Sequence, residues 1–196
     1  YGVPLDGRME FTGNFFTLLR PVPLVFGVTG LVAVLLQGAS WAVMKTEGDL
    51  QVRSFKAVRI LTGINVVASL IYFVVLIATF PRLSGNALFY TAIVFTCAGL
   101  IGLFFSLRKR NDAAPFWESS FSFIGLFMAA SAAHFPNLIT ASNDPNLSLT
   151  IYNSSTGLYT LQVMAVIALI GMPIVIGYTI FVYRLFKGKA KAADHY

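Results

Sequence analysis

The chain has 196 residues, 57% hydrophobic and 11% charged, with a formal net charge of +6. A soluble domain carries about 25% charged residues, so this composition excludes a water-soluble globular fold and makes lipid the solvent for most of the chain. The single cysteine, Cys97, excludes an intrachain disulfide and a thiolate metal cluster.

The first residue is Tyr1 rather than Met, and no charged n-region precedes an apolar h-region. The expectation is a portion of a longer polypeptide whose upstream part lies outside these residues. Five apolar runs then follow, each long enough to cross a bilayer core of roughly 30 Å as a helix. Backbone groups in lipid must bond internally, which favours helices. The first run covers about 22–43 and is opened by Pro21 and Pro23, at positions where a missing N–H costs little. The stretch 44–57 follows as a charged loop with Lys45, Glu47, Asp49, Arg53 and Lys56. The second run, about 58–80, ends in the turn "FPRLSGN". The third, about 88–107, contains Cys97, which reads as a small buried hydrophobe. After "KRNDAAPFW" the fourth run covers about 116–135. A polar loop, 135–157, leads to the fifth run, about 158–186, where Pro173 predicts a kink. "KGKAKAADHY" closes the chain as a solvated tail. The predicted fold class is an all-α integral membrane protein of about five transmembrane helices. It is a single domain over 1–196 and part of a larger helical bundle.

Alternating helices sort the loops into two sets. One set and the helix ends beside it hold Lys45, Arg53, Lys56, Arg59, Arg108, Lys109, Arg110, Arg184, Lys187, Lys189 and Lys191. The other holds Arg8, Arg20 and Arg82. Cations stay on the cytoplasmic side during insertion, so the first set and the C-terminus are expected to be cytoplasmic. Trp41 and Trp117 fall at that interface, and Tyr90, Tyr152 and Tyr159 near the opposite one. Nucleic-acid binding is not expected, because the basic residues are divided among short segments.

Few residues offer chemistry. His134 lies at the far end of the fourth helix and His195 in the tail, on opposite sides of the membrane, so they cannot share one iron. No catalytic, cofactor-binding or metal-binding residue is assigned. Seven of the eight carboxylates lie in loops or tails. Glu118 is the exception. As a first-turn acid it suits the helix dipole, with Arg108, Lys109 or Arg110 as a counter-ion. As an acid at membrane depth it is a candidate for proton handling. Arg59, Thr62, Asn65, Ser69 and Tyr72 are spaced by three or four residues, one face of the second helix. That face predicts interhelical hydrogen bonds or a hydrated path. "MAASAAHF" (128–135) predicts close helix packing through Ala129 and Ala133.

The stretch "LLRPVPLVFGVTGLVAVLLQGASWAVMKTEGDLQVRS" (18–54) resembles subunit II of cytochrome bd quinol oxidases. The resemblance rests on Leu19-Arg20-Pro21, Gly27-Val28-Thr29, Gly38-Ala39 and Lys45-Thr46-Glu47-Gly48-Asp49-Leu50. "SLTIYNSST" (148–156) and "MPIVIGYTIFVYRLFKGK" (172–189) are similar to the family's last loop and last helix. The sequence departs at Gln37, where the family often has His, and at Arg20, where it has Asn. The family's subunit also has further helices ahead of this region.

The resemblance implies a haem-free subunit of a quinol:dioxygen oxidoreductase in a bacterial inner membrane. Subunit I is the implied partner and ligates two haems b and one haem d. Lipid, small accessory single-helix subunits and a structural quinone complete the implied assembly, which sustains aerobic respiration and the proton-motive force. The competing reading is half of a secondary transporter. That would need an inverted repeat and paired broken helices at mid-membrane, and Pro173 supplies one break with no match.

Overall fold

A computed structural model describes residues 1–186 and 188–189. Lys187, Lys191 and His195 lie outside the described residues. The elements are a short α1 (Phe15–Leu18), then α2 (Pro21–Lys45), α3 (Asp49–Thr79), α4 (Ala87–Lys109), α5 (Ala114–His134) and α6 (Leu158–Leu185). Between α5 and α6 lies a small antiparallel pair, β1 (Asn137–Ile139) and β2 (Leu149–Thr150).

The helix ends follow from local chemistry. Pro21 occupies the first turn of α2 and Pro115 that of α5. Asn86 caps α4 by accepting from the Leu88 N–H at 2.9 Å. The charged segment after α2 is mostly helical rather than a loop. The chain turns within Thr46–Gly48, with Gly48 at φ 68°, a conformation glycine adopts without cost. From there α3 begins at Asp49 and runs 31 residues, roughly 46 Å at 1.5 Å per residue. It therefore outreaches the hydrocarbon core, and its charged first turns lie outside the apolar layer.

Four helices, α2, α3, α4 and α6, are long and apolar enough to cross a membrane. The remaining long helix, α5, has 21 residues and is more polar, with Glu118, Ser119, Ser120 and Ser122 in its first half. It lies along α4, and at roughly 1.5 Å per residue it too reaches across the core. Those polar residues are turned towards α2, α3 and α4. The α4–α5 contact is close because glycine removes the intervening side chain. A Cβ on Gly125 would stand 2.6 Å from the backbone of α4 at Ala92 and Thr96, and one on Gly99 would stand 2.5 Å from the Ser122 nitrogen. Ala129, Ala132 and Ala133 are buried, as the small-residue stripe predicts, while Ser131 faces outward and bonds the Phe127 carbonyl.

Helix α2 packs on α3 and meets α5, whereas α3 and α4 touch only sparsely. The core is divided along the membrane normal. Towards the end bearing the α5–α6 loop it is apolar, built on Leu76, Phe80, Leu83, Phe89 and Ala133. Towards the basic end, buried polar side chains enter it. The N-terminal segment and the α5–α6 loop make one cap over the apolar end. Asn143 donates to the Leu5 carbonyl at 2.6 Å and accepts from the Leu5 N–H at 3.2 Å. Leu5 is buried beneath this pair.

Helix α6 continues through Pro173. Among the described residues none of its 28 is buried. Tyr183 stacks edge-on to Trp41 with ring centroids 5.8 Å apart. Beyond the helix, Lys189 forms an ion pair with Asp112 at the α4–α5 turn.

Candidate functional site

The polar face of α3 is buried as its spacing predicts. Thr62, Asn65, Ser69 and Tyr72 all face the interior. Arg59 does not join them. Six residues from Asn65 at about 100° per residue places it roughly 120° away round the helix, and it is exposed. Val58 takes the buried position instead.

Three neighbouring helices add polar groups to this face. Gln37 of α2 accepts from the Ser119 hydroxyl at 2.7 Å and donates to Ser120 at 2.7 Å. Asn65 donates to the Ser122 hydroxyl at 3.3 Å. Ser106 of α4 donates to Glu118 Oε1 at 2.6 Å. The Glu118 side chain lies across Gly102, where a Cβ would come within 2.8 Å of its Cγ. Removing that Cβ is what lets a carboxylate enter the α4–α5 interface. Tyr72 ends the series by donating to the Leu126 carbonyl at 3.0 Å, and the apolar half of the core begins there.

These groups form a polar seam from Ser106 and Glu118, near the basic end, to Ser69 at mid-bundle. Among the described residues, five buried atoms along it lack a protein partner: Ser40 Oγ, Thr62 Oγ1, Asn65 Oδ1, Ser69 Oγ and Glu118 Oε2. A buried polar atom without a hydrogen bond costs about 1–3 kcal/mol, and buried water usually meets that demand where polar groups cluster. The arrangement can hold water and relay a proton between hydroxyl, amide and carboxylate.

The structure changes two further expectations, beyond that for Arg59. Among the described residues no cation lies within 4 Å of the Glu118 carboxylate, so its partner is the Ser106 hydroxyl rather than Arg108, Lys109 or Arg110. Cys97 is exposed on the flank of α4 and not buried. Gln37, Ser40, Ser106, Ser119 and Ser122 were not legible as seam residues. The run "WESSFS" carried a signal, because residues 118 and 122 share a helix face.

His134 stands apart from the seam, at the capped end. Its Nδ1 lies 3.0 Å from the Ala130 carbonyl, which makes Nδ1–H the donor. Phe26 and Phe80 flank the ring with centroids at 5.9 Å. A cavity of about 370 Å³ beside it is lined by Tyr1, Phe26, Phe80 and Thr140. Among the described residues no three His, Cys, Asp or Glu side chains come together to hold a metal. No second imidazole faces His134 in the described part of the chain. This donor set does not fit a bis-histidine haem.

Comparison with known proteins places the fold. Residues 1–186 match the family described as cytochrome bd terminal oxidase subunit II. "Cytochrome bd-I ubiquinol oxidase subunit 2" of Escherichia coli (strain K12) is 27% identical over 98% of this chain and 60% of its own length. "Cytochrome bd ubiquinol oxidase subunit 2" of Bacillus subtilis (strain 168) is 28% identical over 95% of this chain and 55% of its own. "Probable cytochrome oxidase subunit 2" of Haemophilus influenzae is 26% identical over 94% and 57%. The chain thus spans somewhat more than half the length of these relatives. With its membrane-spanning helices and a match that runs from the first residue to the end of α6, the chain belongs to the cytochrome bd terminal oxidase subunit II family.

Proposed function

We propose that this chain is a haem-free subunit II of a quinol:dioxygen oxidoreductase, working through a haem-bearing subunit I in aerobic respiration. The family match over residues 1–186 carries this reading. In such an assembly quinol is oxidised near the outer face, dioxygen is reduced to water, and protons are drawn from the inside. The chain forms one helical domain of its subunit, and its basic end and C-terminus face the cytoplasm. The concentration of Lys and Arg at that end supports the orientation. Two haems b and one haem d belong to subunit I. That division is what the resemblance to the family implies, and it rests on the match over residues 1–186. Small accessory subunits, a structural quinone and lipid belong to the same proposal.

Within it, the seam does the local chemistry. Glu118 and the Thr62-Asn65-Ser69 face hold water and pass protons from the basic end to mid-membrane. Tyr72 and the apolar core beyond it prevent a continuous leak.

Purification in mild detergent tests the assignment. A tagged full-length subunit should co-purify with b- and d-type haem absorption, and expressed without its partner it should show none. A Soret band retained by the lone subunit, or purification without any haem partner, overturns the reading.

A further inference from the structure

A second site lies on the outside of the bundle, between α3 and α4. These helices are joined by the short turn Pro81–Gly85, yet α3 packs on α2 and α4 on α5. A cleft is left between them. Its half nearer mid-membrane is an apolar cavity of about 460 Å³ that includes Val66, Leu100 and Phe104. Its other half, about 490 Å³, shares those same three residues and ends among Arg59, Arg108 and Arg110. One continuous groove therefore joins an apolar floor to three guanidinium groups.

The arginines stand at one depth. Arg59 is the last charged residue before the apolar run of α3. Arg108 and Arg110 stand where the apolar run of α4 ends, and Arg110 caps that helix. All three are exposed, and among the described residues none pairs with a carboxylate within 4 Å. The Arg108 guanidinium lies 4.2 Å from the Phe104 ring centroid, a contact that fixes the plane and leaves its N–H edges available.

We propose that this groove is a binding site for an anionic phospholipid. The phosphate lies among Arg59, Arg108 and Arg110, and an acyl chain follows Val66, Leu100 and Phe104 towards mid-membrane. Guanidinium suits the role because its forked N–H groups match phosphate oxygens. Charge decides against a neighbouring apolar helix as occupant, since that would leave three cations desolvated and unpaired. The inference does not depend on the oxidase reading, because it concerns lipid chemistry at the bundle surface.

The test uses the full-length protein in its native complex, with a photoreactive amino acid substituted at Leu100. The complex is equilibrated with phosphatidylglycerol and phosphatidylcholine of matched acyl chains, and the adducts are identified by mass spectrometry. Phosphatidylglycerol should dominate. Its excess should fall about fivefold in Arg59→Gln and again in Arg108→Gln, the change that ~1 kcal/mol per cation produces. Arg184→Gln, at the same end of the molecule but outside the groove, should leave the excess unchanged. Equal adducts of both lipids, adducts to a polypeptide, no lipid adduct, or an equal loss in Arg184→Gln would each overturn the site.

Discussion

Single residues set the character of the seam. Glu118 enters a helix interface with one oxygen bonded to Ser106 and the other without a protein partner among the described residues. Replacing it with Gln keeps the shape and removes the exchangeable carboxyl proton. On the proposed oxidase reading, oxygen consumption by the complex should then fall severalfold while haem content and assembly remain intact. An unchanged rate would make Glu118 a helix-start acid and nothing more. Ser106→Ala takes away the carboxylate's hydrogen-bond donor. It should lower the stability of the complex by about 1.5–3 kcal/mol, the usual worth of a bond to a charged group, read as a drop in the thermal midpoint. In Glu118→Gln the same serine substitution should cost less, and equal costs in both backgrounds would mean the two side chains are not coupled.

Packing between elements is set by where side chains are missing. Gly125→Ala places a Cβ 2.6 Å from the α4 backbone, which has no room to yield. The helices must part, and overpacking of this kind costs about 1–3 kcal/mol. Gly63→Ala meets nothing within 4 Å and should be neutral or stabilising, since alanine favours the helix by about 1 kcal/mol. Thermal unfolding of the complex separates the two, and equal behaviour would show that α4 and α5 are not in close contact. The same scale marks what could be read from sequence. Thr62, Asn65, Ser69 and Tyr72 were legible as one face because helical periodicity needs no knowledge of the neighbours. Their partners on α2, α4 and α5 were not, because contact between helices depends on crossing geometry. Gly99, Gly102 and Gly125 set that geometry, yet in sequence they resemble Gly63, which faces open space. The extent of α3 was also hidden, since its first turns carry charge and look like a loop until the turn at Gly48 is seen.

For the whole molecule, the division of charge predicts a direction across the membrane. In a Cys97→Ala background, Glu47→Cys should react with an impermeant maleimide only after cells are opened, whereas Ser155→Cys should react on intact spheroplasts. Both positions are exposed, at opposite ends of the bundle. The reverse pattern would invert the topology and remove the argument for inward proton supply. Membrane residence and the helical fold were already legible in composition. The positions of Cys97 and Arg59 were not, because a long apolar run does not say which of its sides meets a neighbour.

The boundary at Tyr72 has an electrical corollary. Below it the seam's hydroxyl, amide and carboxylate dipoles run beside the apolar cluster of Leu36, Val43, Val58 and Leu103, and with water held among them that half would be more polarisable than the half above, where Leu76, Phe80 and Phe89 fill the space. Voltage falls mostly across the poorer conductor. A proton travelling from the basic end as far as Asn65 would therefore do little electrical work, and most of the roughly 2.3 kcal/mol per 100 mV would be exchanged in whatever step carries charge through the dry half.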